Sequence, residues 1–94
     1  MKNRIYFCPA GVEWVKNTDG ILVVQGNQGR SYLLTGLESA LWSWMSLSYP
    51  CPRLVSMLAE LAGISRLAAG RKLRQILEDW RGKGILEERE IIHG

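Results

Sequence analysis

The stretch RSYLLTGLESALWSWMSLSY, residues 30–49, decides how the chain is read. Tyr32, Leu33, Leu34 and Thr35 are the aromatic, aliphatic and β-branched types of a pleated strand. From there the apolar residues fall at Leu37, Ala40, Leu41, Trp44 and Met45, the i, i+3, i+4, i+7, i+8 spacing of an amphipathic helix. Strand thus passes into helix with almost no break, and Pro50 and Pro52 end the helix by removing donors and disfavouring helix before them. Trp42 and Trp44 lie about 200° apart on that helix, so they cannot share one narrow stripe. The spacing places Trp44 on the stripe facing other helices and Trp42 at its margin, where a sheet can cover it. An arc about 200° wide fits a helix wedged between a small sheet and two helices.

Upstream, Val12 and Trp14 alternate with Glu13 and precede Asn17-Thr18-Asp19-Gly20, whose Asp-Gly pair supplies the positive φ of a hairpin turn. A β-branched run over residues 21–25 leads to a second turn of the same kind, Gly26-Asn27-Gln28-Gly29. Strands are expected near residues 11–16, 21–25 and 30–35, forming a meander. Ile5-Tyr6-Phe7 is strand-like but short, and stops at Pro9.

Downstream, a second helix fits residues 53–62, with Leu54, Val55, Leu58 and Leu61 on one face and Gly63 as its stop. Ser65 is an N-cap for a third helix to about Arg81, whose core stripe is Leu73, Ile76, Leu77 and Trp80. Residues 85–92 either return as a strand or fray. The expected fold is α+β and winged helix-turn-helix-like: a three-stranded antiparallel meander followed by a three-helix bundle, one domain over residues 1–94.

A chain of 94 residues has material for one core, and 47% hydrophobic with 22% charged residues excludes disorder as the default. There is no secretory leader and no apolar run of the roughly 20 residues that span a bilayer, so the expected compartment is the cytoplasm and no membrane partner is expected. Cys8 and Cys51 each precede a proline, far apart, with neither a CxxC nor a metal-ligand spacing; both are expected as small buried hydrophobes. The histidine, His93, sits one residue from the end, so a Ser/His/Asp or Cys/His engine has no base. No catalytic residue, metal site or cofactor is expected.

Two surfaces remain. Arg66, Arg71, Lys72, Arg74, Arg81 and Lys83 make the third helix basic, and residues 62–65 have the length and glycine of a helix-turn-helix link. That combination suggests a small DNA-binding regulator. Against it, the helix opens Arg66-Leu67-Ala68-Ala69-Gly70, poor in side chains that read base edges, and the net charge of +3 is low for a phosphate binder. The other surface is the third strand, which a simple meander leaves on the outside with no proline or inward lysine to protect it. Such an edge is either an aggregation liability or a rail for an extended peptide, unless residues 5–7 or the C-terminal tail cover it.

Val12 and Trp14, Asp19-Gly20, residues 21–24, Tyr32 and Leu34, Leu41-Trp42 and Gly84-Ile85-Leu86 stand in the order and spacing of a known pattern. Over roughly residues 11–88 the chain resembles the pyrroloquinoline quinone biosynthesis protein D (PqqD-like) family, the recognition elements for precursors of ribosomally made, modified peptides. Thr35 stands where the family commonly has Asn, and Cys51-Pro52-Arg53 replaces its usual Gly-x-Thr. The resemblance implies a non-catalytic adaptor that takes the leader of a precursor peptide as a fourth strand, in the groove against helix three, and presents it to a modifying enzyme. That client would be a radical S-adenosylmethionine enzyme or a lasso-type leader protease and cyclase. Carried onto this sequence, the rail is Arg30, Ser31, Tyr32, Leu33, Leu34 and Thr35. The facing wall is Leu67, Gly70, Arg71 and Arg74, the arginines suiting acidic leader residues. No nucleic acid partner is expected, and the chain is expected to be a monomer or weak homodimer.

Overall fold

The computed structural model describes the backbone of residues 3–91 and the side chains of residues 8–87; Ile92 and His93 lie outside the described residues. In order, the elements are β1 (Asn3–Phe7), β2 (Val12–Asn17), β3 (Gly20–Gln25), β4 (Arg30–Leu34), α1 (Gly36–Ser46), α2 (Cys51–Ala62), α3 (Arg66–Gly82) and β5 (Glu87–Ile91). Strands β2, β3 and β4 form the expected antiparallel meander. Its first turn differs in detail from an Asp-Gly hairpin. Asn17 and Gly20 are the closing pair, and Asn17 Oδ1 accepts the N–H groups of Asp19 at 2.9 Å and Gly20 at 3.0 Å. An asparagine side chain therefore does the work expected of positive φ at Asp19, and Gly20 alone takes it, at +151°. The second connection is a 3₁₀ turn over Gly26–Gln28 closed by Gly29 at φ +64°.

The segments that the sequence left undecided pair with each other. β1 and β5 form a separate two-stranded antiparallel sheet, from Asn3 opposite Ile91 to Phe7 opposite Glu87. Neither joins the meander, whose two edges, β2 and β4, pair with no further strand among the described residues.

The core gathers Ile21 and Val23 from β3, Leu34 from β4, Leu41 and Trp42 from α1, Leu54 and Leu58 from α2, and Leu73, Ile76, Leu77 and Trp80 from α3. Trp42, placed at the margin of the stripe, is the deeper of the two indoles on α1 at 3% exposure, while Trp44 on the stripe itself is half-buried. The reason is convergence of three elements: the Trp42 ring meets Trp14 of β2 edge-on at 6.4 Å and Trp80 of α3 edge-on at 5.1 Å. The sheet does cover the margin of α1.

Helix α2 starts earlier than expected, at Cys51, because proline in a first turn gives up an N–H that has no helical partner. It ends as expected at Gly63, φ +66°, with Ile64 N–H bonded back to Ala59 O at 3.1 Å. Leu61 is not on the core face; it is 57% exposed. The cysteines also depart from expectation: Cys8 is exposed and Cys51 intermediate. Ser65 caps α3, its Oγ accepting Ala68 N–H at 3.1 Å. Ser65→Ala is expected to remove about 1 kcal/mol of stability, read as a lower urea midpoint at unchanged m-value.

At the far end of α3, Gly84 at φ +75° turns the chain out of the helix, and Gln25 of β3 donates from Nε2 to Gly84 O at 3.0 Å. That contact clips the meander to the α3–β5 turn.

Candidate functional site

Along β4 the faces alternate. Tyr32 and Leu34 turn inward, half-buried and buried, in register with Val23 and Ile21; Ser31 and Leu33 turn outward, Leu33 at 52% exposure. The strand pairs β3 on one side, so alternate backbone groups on its other side are free to pair with an added strand. Thr35 lies just past the strand as the N-cap of α1.

What stands beside that edge is the end of α3. Lys83 Nζ lies 5.2 Å from the centre of the Tyr32 ring and 2.9 Å from Asp79 Oδ2 one helical turn back. The bond to Asp79 holds the ammonium above the ordinary lysine range, against a smaller opposing effect of burial, with the charges of Asp79, Glu38 and Tyr32 adding to the rise. A folded pKa above the unfolded one stabilises fully below about pH 10.4 and is lost as pH rises through the folded value. Asp79→Asn is expected to bring the Lys83 titration back toward its ordinary range, measured by NMR on the side-chain resonances.

Helical phase then sorts the four residues expected on the facing wall. Lys72, Asp79 and Lys83 align within a small angle, about three turns and one turn apart. Arg74 lies about two and a half turns before Lys83 and so points the opposite way, and Leu67, Gly70 and Arg71 are roughly a third of a turn or more off. The opposite flank looks toward β5: Glu78, Arg81 and Gly82 share a surface depression with Leu86 and Glu87. The structure thus brings residues 30–34 to one edge, but sets Leu67, Gly70, Arg71 and Arg74 away from the Tyr32 contact. The residues seen beside Tyr32, namely Lys83 with Asp79 and the charge of Glu38, were not among those expected on the facing wall. The signal was present, since Lys83 flanks the core stripe opposite Arg74, but the wheel alone does not say which flank meets the sheet.

No protein-family model matches the chain, and no curated protein matches it. Solved structures do. One is TbiB1 in complex with the TbiA(beta) leader peptide, at TM-score 0.79 and 20% identity, covering 85% of this chain and 93% of that one. Another is a lasso peptide synthetase B1 complexed with the leader peptide, at TM-score 0.81 and 11% identity, covering 87% and 96%. The chain has their fold. The α+β arrangement of a three-stranded antiparallel meander followed by three helices is therefore as expected. Among the described residues no helix is long and apolar enough to cross a membrane.

Proposed function

We propose that the chain is a non-catalytic adaptor that binds the leader segment of a ribosomally made precursor peptide as an added strand on β4. It holds the peptide for a modifying enzyme in the cytoplasm. The observation that carries this reading is the unpaired edge of β4 beside the Lys83 flank of α3, in a fold shared with two proteins each solved with a leader peptide. The likeness to a lasso peptide synthetase B1 favours a leader protease of the lasso type over a radical S-adenosylmethionine enzyme as client.

An added strand gains backbone hydrogen bonds of about 1 kcal/mol net each and little sequence preference, so two or three buried side chains set specificity. Because strand side chains alternate, inward peptide residues meet Tyr32 and the Asp79–Lys83 pair while outward ones extend the row through Leu33. The wall opposite β4 is accordingly Lys72, Asp79 and Lys83, with Glu38 of α1 nearby. Lys83→Glu is expected to weaken leader binding about tenfold, whereas Arg74→Glu changes it less than about twofold. Titrating labelled protein with the TbiA(beta) leader peptide tests the site: amide shifts should concentrate in residues 30–34 and 79–83. Shifts confined to β5, or an Arg74→Glu effect as large as that of Lys83→Glu, would overturn it.

A further inference from the structure

The outer side of α3 turns away from the Lys83–Tyr32 contact, and at the α2–α3 corner beside it three apolar side chains are poorly covered. Leu61 at the end of α2, Ile64 in the link and Leu67 in the first turn of α3 are 57%, 38% and 69% exposed. They fall within one turn on either side of the α2–α3 corner. Continuing from Leu67 along the same side of α3 come Arg71 and Arg74, spaced i, i+4 and i+7, both exposed. Among the described residues neither side chain makes a hydrogen bond or an ion pair. Arg66, by contrast, is folded back across α2 to Ser56 Oγ.

We infer that this corner is a second docking surface, for a partner protein that offers an apolar centre rimmed by carboxylates. The argument is charge complementarity. Arg71 and Arg74 stand on one side of the apolar group; Glu60 is the acidic residue next to it, and Glu78 lies a further turn along α3. Free guanidinium groups beside exposed aliphatic side chains match the composition of a protein interface, an apolar middle with arginine at its edge. The same pair of features fits nucleic acid poorly. In a helix-turn-helix the first turn of the second helix reads bases, and here that turn offers Leu67, Ala68 and Ala69 after an Arg66 that is engaged by Ser56. A membrane surface also fits poorly, because three aliphatic side chains at one corner fall short of the long apolar face an interfacial helix buries. Because Leu67, Arg71 and Arg74 lie a third of a turn or more around α3 from Lys83, which contacts Tyr32 of β4, a peptide strand on β4 and a partner docked here use different residues. The inference does not depend on what β4 binds.

The test uses a defined probe, a synthetic amphipathic helix with leucine on one face and glutamate on the others, titrated into the labelled full chain. Amide shifts are expected at residues 61–74 with β4 unmoved. Leu67→Ser combined with Arg74→Glu should weaken the probe at least about tenfold while leaving melting temperature and leader-peptide binding as in the parent chain. A matched leucine and lysine helix should bind about tenfold more weakly than the acidic one. The inference is overturned if the acidic helix at millimolar concentration leaves residues 61–74 unshifted, or if the lysine helix binds equally well. Tighter binding at this corner by duplex DNA, or by phosphatidylserine vesicles, would overturn it as well. Loss of leader binding alone bears on β4 and leaves this surface standing.

Discussion

Trp80→Ala is expected to lower stability by about 3–5 kcal/mol, a drop in melting temperature of roughly 15–30 °C for a domain of this size. Trp80 is fully buried on α3 and meets the Trp42 ring edge-on at 5.1 Å, so truncation leaves a cavity where α1, α3 and the sheet converge. Against a total stability of about 5–15 kcal/mol that is a large fraction, and the variant should be partly unfolded at 37 °C. Trp80→Phe separates two contributions. The Trp80 Nε1–H has no hydrogen-bond partner among the described residues, and burying an unpaired donor costs about 1–3 kcal/mol. Phenylalanine deletes that donor while keeping an aromatic edge, so its loss should be less than half that of alanine. Thermal melts of the two variants give the comparison, and a phenylalanine variant as unstable as the alanine one would show that the donor carries no such penalty.

Gly20→Val is expected to disable the rail itself. Gly20 sits at φ +151°, which side chains with a Cβ rarely adopt, and a Cβ there would lie 2.1 Å from the Leu34 carbonyl oxygen. The obstacle is backbone of the neighbouring strand, with no flexible side chain to give way. Either β3 and β4 separate at that end or the β2–β3 turn reshapes, at a loss of about 3 kcal/mol or more. Because Leu34 is the buried end of β4, paired with Ile21, the damage falls on the strand proposed to take the peptide. Leader affinity should fall by more than about tenfold even under conditions where the chain stays folded. Calorimetric titration checks this, and full affinity in a folded Gly20→Val variant would place the peptide elsewhere.

Much of the architecture was legible because local chemistry dictates it. Asp19-Gly20 and the second glycine turn mark the meander, Ser65 and Gly63 mark helix ends, and the stripe Leu73, Ile76, Leu77 and Trp80 is buried as its period requires. What stayed hidden is non-local. The pairing of β1 with β5 joins segments from opposite ends of the chain, and no periodicity in five residues announces a partner that distant. Helix period showed that Trp42 and Trp44 point apart, but which goes deeper depends on where Trp14 and Trp80 arrive. The same limit decided the candidate site. Strand β4 was readable as an open edge from the order of turns. The flank of α3 beside it was not, since Arg74 and Lys83 border the core stripe symmetrically and only tertiary placement sets Lys83 over Tyr32. Leu61 follows the apolar period of α2 yet is exposed, since the period alone does not say how far along the helix the covering elements reach.

The row Trp14, Trp42, Trp80 also gives the molecule an optical signature. Three indoles held edge-to-face, with neighbouring centroids 6.4 and 5.1 Å apart, are close enough for their electronic transitions to couple, and each belongs to a different part of the fold: meander, α1 and α3. Near-ultraviolet circular dichroism should therefore report whether the sheet is seated on the helices, independently of total helix content. Trp14, 40% exposed at the rim of the row, should dominate quenching by an added solute such as acrylamide, while Trp80 stays silent. Seating of the sheet that carries β4 can thus be followed without any label.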